Sequence, residues 1–373
     1  MILKNGMVLT KDFTWAVLDV RVEDGRIAAV GLDLCDYFPQ EEVFDCTGCR
    51  VVPGFVDIHT HGAMGADACD ADADGLARMA AHYLSHGVTS FCPTTMTVSP
   101  EEIRRALETI NAFASSQKEG ATVAGVHLEG PYIAKERKGA QKEEYVKAPD
   151  FEEFLSFNEA SGNRIRIVSV APECDESGFV SKASKVCTVS IAHTTADYDQ
   201  ACEAFKQGVT HATHLYNAMS GFSHRAPGVV GAVFDTPGVT AEIICDGFHI
   251  HPAALRVAFN LLKGRICVIS DSMRAAGLSD GVYDLGGQAV TVKGKTALLA
   301  DGTIAGSVTN LHQELKNLVS YGVPMEEALR AMTLTPAREI GLDQEIGTLE
   351  PGKRADIVVL DKDLEIVHVF HTN

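Results

Sequence analysis

Two histidines close an apolar run, VDIHTHG, at positions 59 and 61. A strand repeats every two residues, so His59 and His61 point to one side while Thr60 faces the other. Two neutral imidazoles converging on one point suit a metal ion. Two turn-proximal polar residues are the plainer account of such a pair taken alone, and the ends of the other apolar runs decide between the two. GVHLEGP ends in Glu129, VSIAHTT in His193, ATHLYNAM in His214 and VISDS in Asp271. Each of these runs delivers a metal-competent side chain at the same end. Histidine with carboxylate and without thiolate fits zinc or a similar divalent ion in a catalytic site that keeps a position open for water. Such an ion lowers the pKa of water and polarises a carbonyl, and Asp271 can then take the water's proton and pass it to a departing group. The bland role for Asp271 is a helix cap or a solvated turn.

Side chains from distant parts of the chain meet only if the scaffold gathers them. Eight apolar runs can be counted: VVPGFVDI, GVTSFCPTT, TVAGVHLEG, RIRIVSVAP, VCTVSIAHT, GVTHATHLYN, VTAEIICDG and RICVISDSM. Between most of them lie segments of helical period, among them DGLARMAAHYLSHG, PEEIRRALETINAFASS, DYDQACEAFKQG and HPAALRVAFNLLKG, the last with Leu255, Ala258, Phe259 and Leu262 on one face. The sixth crossover, GVVGAVFDTPG, is short. Alternating strands and helices of this number predict a (β/α)8 barrel over residues 54–341, whose function gathers where the strands end. An insertion at about 278–305 has hairpin character. Both chain ends are rich in short strands and turns, and residues 1–53 with 342–373 are expected to form one small β-sandwich domain.

Other candidates have stronger structural readings. His82 and His86 stand four apart on the first helix but lead into strand two from the wrong end. His127 points the same way as Glu129 and reads as a supporting group. His211, His312, His368 and His371 read as structural or surface residues. The ten cysteines are mostly single and inside apolar runs, the pattern of buried reduced thiols, and the lone C-x-x-C of Cys46 and Cys49 lacks the context of a redox or zinc motif. A net charge of −18 argues against nucleic-acid or anionic-membrane partners, so an anionic substrate needs a local cluster of cations. No stretch approaches 18 uninterrupted apolar residues and MILKNGMVLT lacks a signal-peptide pattern, so a cytoplasmic protein is expected.

These residues resemble the amidohydrolase superfamily. PGFVDIHTHG at 53–62 and GTLEPGKRADIVVLD at 347–361 carry that likeness. Within the superfamily, HLEGP at 127–131, THLYNAM at 213–219, RAPG at 225–228, DGFHI at 246–250 and SDSMRAAG at 270–277 resemble the N-acetylglucosamine-6-phosphate deacetylases. The resemblance covers essentially the whole chain and implies hydrolysis of the acetamide of the phosphorylated amino sugar. It implies that Glu129, His193 and His214 hold a main catalytic metal, that His59 and His61 add a second with Glu129 bridging, and that Asp271 is the general base and then acid. One or two divalent ions follow, zinc or iron foremost, with manganese or cobalt able to accept the same ligands. It also implies that Asn217, Ala218 and His249 meet the sugar phosphate and that Arg225 reaches the phosphate of the neighbouring subunit in a homodimer. Some relatives carry a histidine after KGx where this chain has KGAQ; Gln141 can donate a hydrogen bond but cannot become cationic, so either the metal pair supplies what that histidine contributes electrostatically or Gln141 merely orients the substrate.

Three rivals remain at this level. The galactosamine epimer's deacetylase shares the same motifs. Dihydroorotase-like or dipeptidase-like enzymes commonly use a carbamylated lysine, which strand four, VSVAP, does not supply. A non-catalytic scaffold on this barrel is expected to have lost ligands, and none of the candidates is missing.

Overall fold

The first barrel strand, Phe55–Thr60, is buried at every position, as a parallel strand covered on both faces must be. It pairs in parallel with Val88–Pro93, which a bridge between Thr94 and His127 joins to Val126–Leu128. From there Ile165–Val170, Thr188–Ile191, Val209–Ala212, Thr240–Ile243 and Ile266–Val268 follow in parallel register, each beside the last. Two backbone hydrogen bonds close the ring: Asp271 N donates to His59 O (2.9 Å) and His61 N to Ser272 O (2.9 Å). The computed structural model describes residues 1–372 and has the TIM-barrel-type architecture that the alternation predicts.

Helices form where the sequence supplies both a cap and one apolar face. Pro100–Ser116 begins at a Ser99–Glu102 capping box with proline in its first turn, and buries Ile103, Ala106, Leu107 and Ile110. The short sixth crossover is a helix, Gly228–Asp235, and its Val229, Val230, Ala232 and Val233 are all buried, which explains its unbroken apolar sequence. The insertion is a three-stranded antiparallel sheet of Gly281–Leu285, Gln288–Lys293 and Thr296–Leu298. After it, Leu311–Ser320, Met325–Met332 and Leu334–Glu339 complete the outer layer.

Both chain ends share a single seven-stranded sheet. Ile357–Leu360 lies antiparallel to Arg50–Pro53, which runs parallel to Ile2–Leu9, the hub for Trp15–Glu23 and Val43–Asp45. Leu3, Val8, Val20, Val51, Ile357 and Val359 form a core cluster of their own. All ten cysteines are free; Cys46, Cys92, Cys245 and Cys267 are buried and the rest half-buried. No helix among the described residues is long and apolar enough to cross a membrane.

Candidate active site

The strand ends bring His59, His61, Glu129, His193, His214 and Asp271 together at one mouth of the barrel, each no more than 8% exposed. The period-two expectation for the first strand holds. Thr60 turns the other way, its hydroxyl 2.8 Å from both Tyr83 Oη and Ser272 Oγ. Gly62 follows His61 because a Cβ there would sit 2.2 Å from Ala66 O. Three of the six residues hold their side chains by a left-handed backbone: φ is 43° at His193, 30° at His214 and 46° at Asp271. Such conformations are strained for non-glycine residues and persist where the surroundings over-determine them, commonly at functional sites.

The ring nitrogens define what the cluster can do. His61 Nδ1 donates to Thr94 O (3.2 Å), His193 Nδ1 to Arg137 O (2.8 Å) and His214 Nδ1 to Asn217 O (3.2 Å). His59 Nδ1 donates to Glu242 Oε2 at 2.8 Å. A carbonyl or carboxylate oxygen can only accept, so each Nδ1 carries a proton, and in the neutral form that binds a metal each ring keeps its lone pair on Nε2. Those lone pairs face one another: His59 Nε2 and His61 Nε2 are 3.4 Å apart, and His193 Nε2 and His214 Nε2 3.1 Å. Glu129 lies among them, with Oε1 3.3 Å from His193 Nε2 and 3.1 Å from His214 Nε2, and Oε2 3.4 Å from His61 Nε2. Asp271 Oδ1 is 3.3 Å from His61 Nε2 and 3.5 Å from His59 Nε2. Electron pairs crowded together without protons between them need a cation. Tetrahedral zinc with N and O ligands at 2.0–2.1 Å would set its ligand atoms roughly 3.3 Å apart, so the donor set fits one. Glu129 can join both groups of histidines, since the triads Glu129–His193–His214 and His59–His61–Glu129 each bring ligand atoms within 4.8 Å of one another.

Burial opposes ionisation of the two carboxyl groups, but in the metal-free protein Glu242, Glu129 and Asp271 hold His59, His61 and His214 above the ordinary histidine range against their own burial, His59 at about 9, and these protonated rings outweigh it. Glu129 is held well below the ordinary carboxylate range by His59, His193, His214 and His61. Asp271 is lowered by His59, His61 and His214 and is an ionised base.

His61, Glu129, His193, His214 and Asp271 floor a cavity of about 550 Å³, with His59 buried behind them. Asn217, Ala218 and His249 line its wall, Lys135, Arg137 and Lys138 its rim, and Asp301, Thr303 and Ile304 of the insertion enclose another side. His249 Nδ1 is held by Asp246 Oδ2 at 2.7 Å, which leaves Nε2 for the cavity.

The sequence model of the Amidohydrolase family matches residues 50–372. The chain belongs to that family. N-acetylglucosamine-6-phosphate deacetylase of Bacillus subtilis (strain 168) is 37% identical over 356 residues, covering 93% of this chain and 90% of that protein. N-acetylgalactosamine-6-phosphate deacetylase of Escherichia coli O157:H7 is 34% identical over 372 residues, covering 99% and 97%. Among solved structures, a mutant of N-acetyl-D-glucosamine-6-phosphate deacetylase from Mycobacterium smegmatis, in complex with N-acetyl-D-glucosamine-6-phosphate, superimposes with a TM-score of 0.91 at 32% identity, covering 100% of this chain and 97% of that one.

Within this amidohydrolase, two candidates sit differently from the rest. Gln141 is buried, and its amide is engaged by the protein: Nε2 donates to Glu129 Oε2 (2.8 Å) and Oε1 accepts from Thr97 N (2.6 Å). Although it lines the cavity, its hydrogen bonds hold Glu129 in place. Arg225 lies on an exposed loop and does not line the cavity of its own chain.

Sequence reasoning missed Glu242, which lies fully buried beneath the cluster in the strand Thr240–Ile243. A glutamate inside AEIICDG departs from an otherwise apolar run, and that was its only signal. His127, read as a supporting group, has Nε2 2.8 Å from Ser169 Oγ and Nδ1 3.2 Å from Ile58 O. The rim cations Lys135, Arg137 and Lys138 were also missed, although KERKG is a visible basic run.

Proposed function

We propose that this chain hydrolyses the acetamide of N-acetylglucosamine 6-phosphate to glucosamine 6-phosphate and acetate. The observation that carries the reading is the set of inward-facing Nε2 lone pairs and two ionised carboxylates at the floor of a cavity whose rim carries cations. The relatives' activities and the sugar phosphate named in the Mycobacterium complex support the substrate. Glu129, His193 and His214 would hold one divalent ion, and His59 and His61, with Glu129 and Asp271 alongside, a second. Zinc or iron suits these ligands best, and manganese or cobalt can also accept them. A bound ion supplies Lewis acidity for the amide carbonyl and lowers the pKa of water.

The protein's own groups do the rest. Ionised Asp271 takes the water's proton and returns it to the departing nitrogen, base first and acid second. Gln141 keeps Glu129 in register through its amide. Asn217, Ala218 and His249 meet the sugar phosphate from the wall. Arg225, exposed and free of its own cavity, serves the site of a second copy, so the working unit is a homodimer. The single sheet that joins residues 1–53 and 342–373 stands as a small β domain, one sheet rather than the two layers of a sandwich, beside the barrel at 54–341; its own core cluster supports that division. The chain works in the cytoplasm, on a small molecule rather than on nucleic acid or membrane.

The 34% identity to a galactosamine-epimer deacetylase supports a second reading, in which that epimer is the substrate. Acetate release from both epimeric phosphates and from unphosphorylated N-acetylglucosamine separates the readings. Preference for the glucosamine phosphate is expected; preference for the galactosamine phosphate would replace it. Arg225→Ala should raise KM for the phosphorylated sugar by roughly 10- to 100-fold, as for a lost charged hydrogen bond, and leave the unphosphorylated sugar unaffected. An unaltered KM would remove Arg225 from the site.

A further inference from the structure

We propose that Glu242 is a positioning residue that fixes His59 as an Nε2 ligand and thereby tightens the ion shared by His59 and His61. The inference rests on the two-ion reading above and deepens it. Glu242 lies mid-strand at 0% exposure, where a carboxylate is costly unless it is paired. Its pairing is specific. Oε2 accepts from His59 Nδ1 (2.8 Å) and from His214 N (3.2 Å), while Oε1 is 3.2 Å from His211 Nε2 and 3.6 Å from His127 Nδ1.

The four cluster histidines differ in this respect. Three of them donate Nδ1 to a backbone carbonyl, and only His59 donates to a carboxylate. A carboxylate behind an imidazole fixes the tautomer more firmly than a carbonyl does and makes the opposite nitrogen a stronger donor, and its loss typically weakens a metal by 10–100-fold. The consequence is asymmetric. The ion at Glu129–His193–His214 draws on carbonyl-oriented rings and Glu242 reaches it only through the backbone N–H of His214, so losing the Glu242 charge should weaken it less than the ion at His59 and His61. His59, His127 and Glu242 also lie within 4.8 Å as possible ligands. They do not make a third metal site, because His59 Nδ1 and Glu242 are already hydrogen-bonded and both His127 nitrogens have protein partners.

The test is zinc content of the full-length protein after equilibrium dialysis against buffered zinc, for wild type, Glu242→Gln, His59→Gln and the double variant. Wild type is expected to hold two ions. Glu242→Gln should hold the second about 10- to 100-fold more weakly. His59→Gln should hold one ion, and the double variant should match it. Unaltered zinc affinity in Glu242→Gln overturns the proposal, and so does further loss in the double variant, which would mean that Glu242 acts through the fold. If Glu242→Gln does not fold, imidazole ¹⁵N shifts of the zinc-loaded wild type decide: His59 protonated at Nδ1 supports the proposal, and at Nε2 overturns it. A wild type saturating at one ion also overturns it, while acetate release would still uphold the deacetylase reading. Absence of acetate release with the zinc shifts intact removes that reading and leaves the role of Glu242 standing.

Discussion

Two layers of histidine and carboxylate lie one above the other in the barrel, and they differ in what their polar atoms face. In the lower layer every partner is protein. His127 sits between Ser169 Oγ and Ile58 O, Thr213 Oγ1 lies 2.8 Å from Ser169 Oγ and 2.6 Å from Ser190 Oγ, and Ser270 Oγ donates to Asp57 at 2.6 Å. In the upper layer the four Nε2 atoms and the oxygens of Glu129 and Asp271 face one another. Both layers bury histidine and carboxylate, but the lower one surrounds them with serine and threonine hydroxyls. Burial leads the effect on His127 and pushes its pKa down to about 3, so that ring stays neutral. A buried histidine is therefore not a mark of chemistry; a buried histidine whose free nitrogen meets other lone pairs is. Glu242 touches both layers and makes the lower one a platform for the upper.

If that contrast is right, substitutions above should alter turnover and metal, and substitutions below should alter stability. The largest expected effect is Asp271→Asn, which should lower kcat by about 10²–10⁴-fold, the range of general acid–base catalysis, while the metal content stays at its wild-type value. Unchanged turnover would take Asp271 out of the reaction. Gln141→Leu comes next. It removes the amide that clamps Glu129, and metal affinity should fall about 10- to 100-fold, as for other groups that orient a ligand. If KM for the sugar rises while metal affinity holds, Gln141 orients substrate instead.

Below the cluster, Ser169→Ala should cost about 1–3 kcal/mol through the partners it leaves buried, read from denaturant unfolding, with the zinc stoichiometry unaltered. Loss of an ion there would merge the two layers. His127 supplies the pH arm. Its folded pKa of about 3 lies below the unfolded value of about 6.5, so between these pH values the unfolded chain binds the extra proton. Its contribution to the stability of metal-free protein is full above pH ~6.5 and is lost as pH falls toward 3. His127→Gln should flatten the pH dependence of Tm in that window; an unchanged slope would contradict the neutral assignment.

What the sequence disclosed follows the same division. His59, His61, Glu129, His193, His214 and Asp271 were legible because each closes an apolar run, and barrel strands all end at one mouth. Glu242 and Asp57 were not, because an interior strand position carries no spacing signal and their partners come from other strands. The insertion was legible as a hairpin, but its approach to the cavity through Asp301, Thr303 and Ile304 depends on packing that periodicity does not encode. Gln141 was expected to meet the substrate; its engagement by Glu129 and Thr97 is a matter of loop path rather than residue type.

The most direct test of the account titrates zinc into metal-stripped protein and follows acetate released from N-acetylglucosamine 6-phosphate. No release is expected from the stripped protein, turnover should appear as ions bind, and turnover of Asp271→Asn at the same zinc content should be about 10²–10⁴-fold lower. Release that persists without metal, or a fully loaded protein that liberates no acetate, would contradict it.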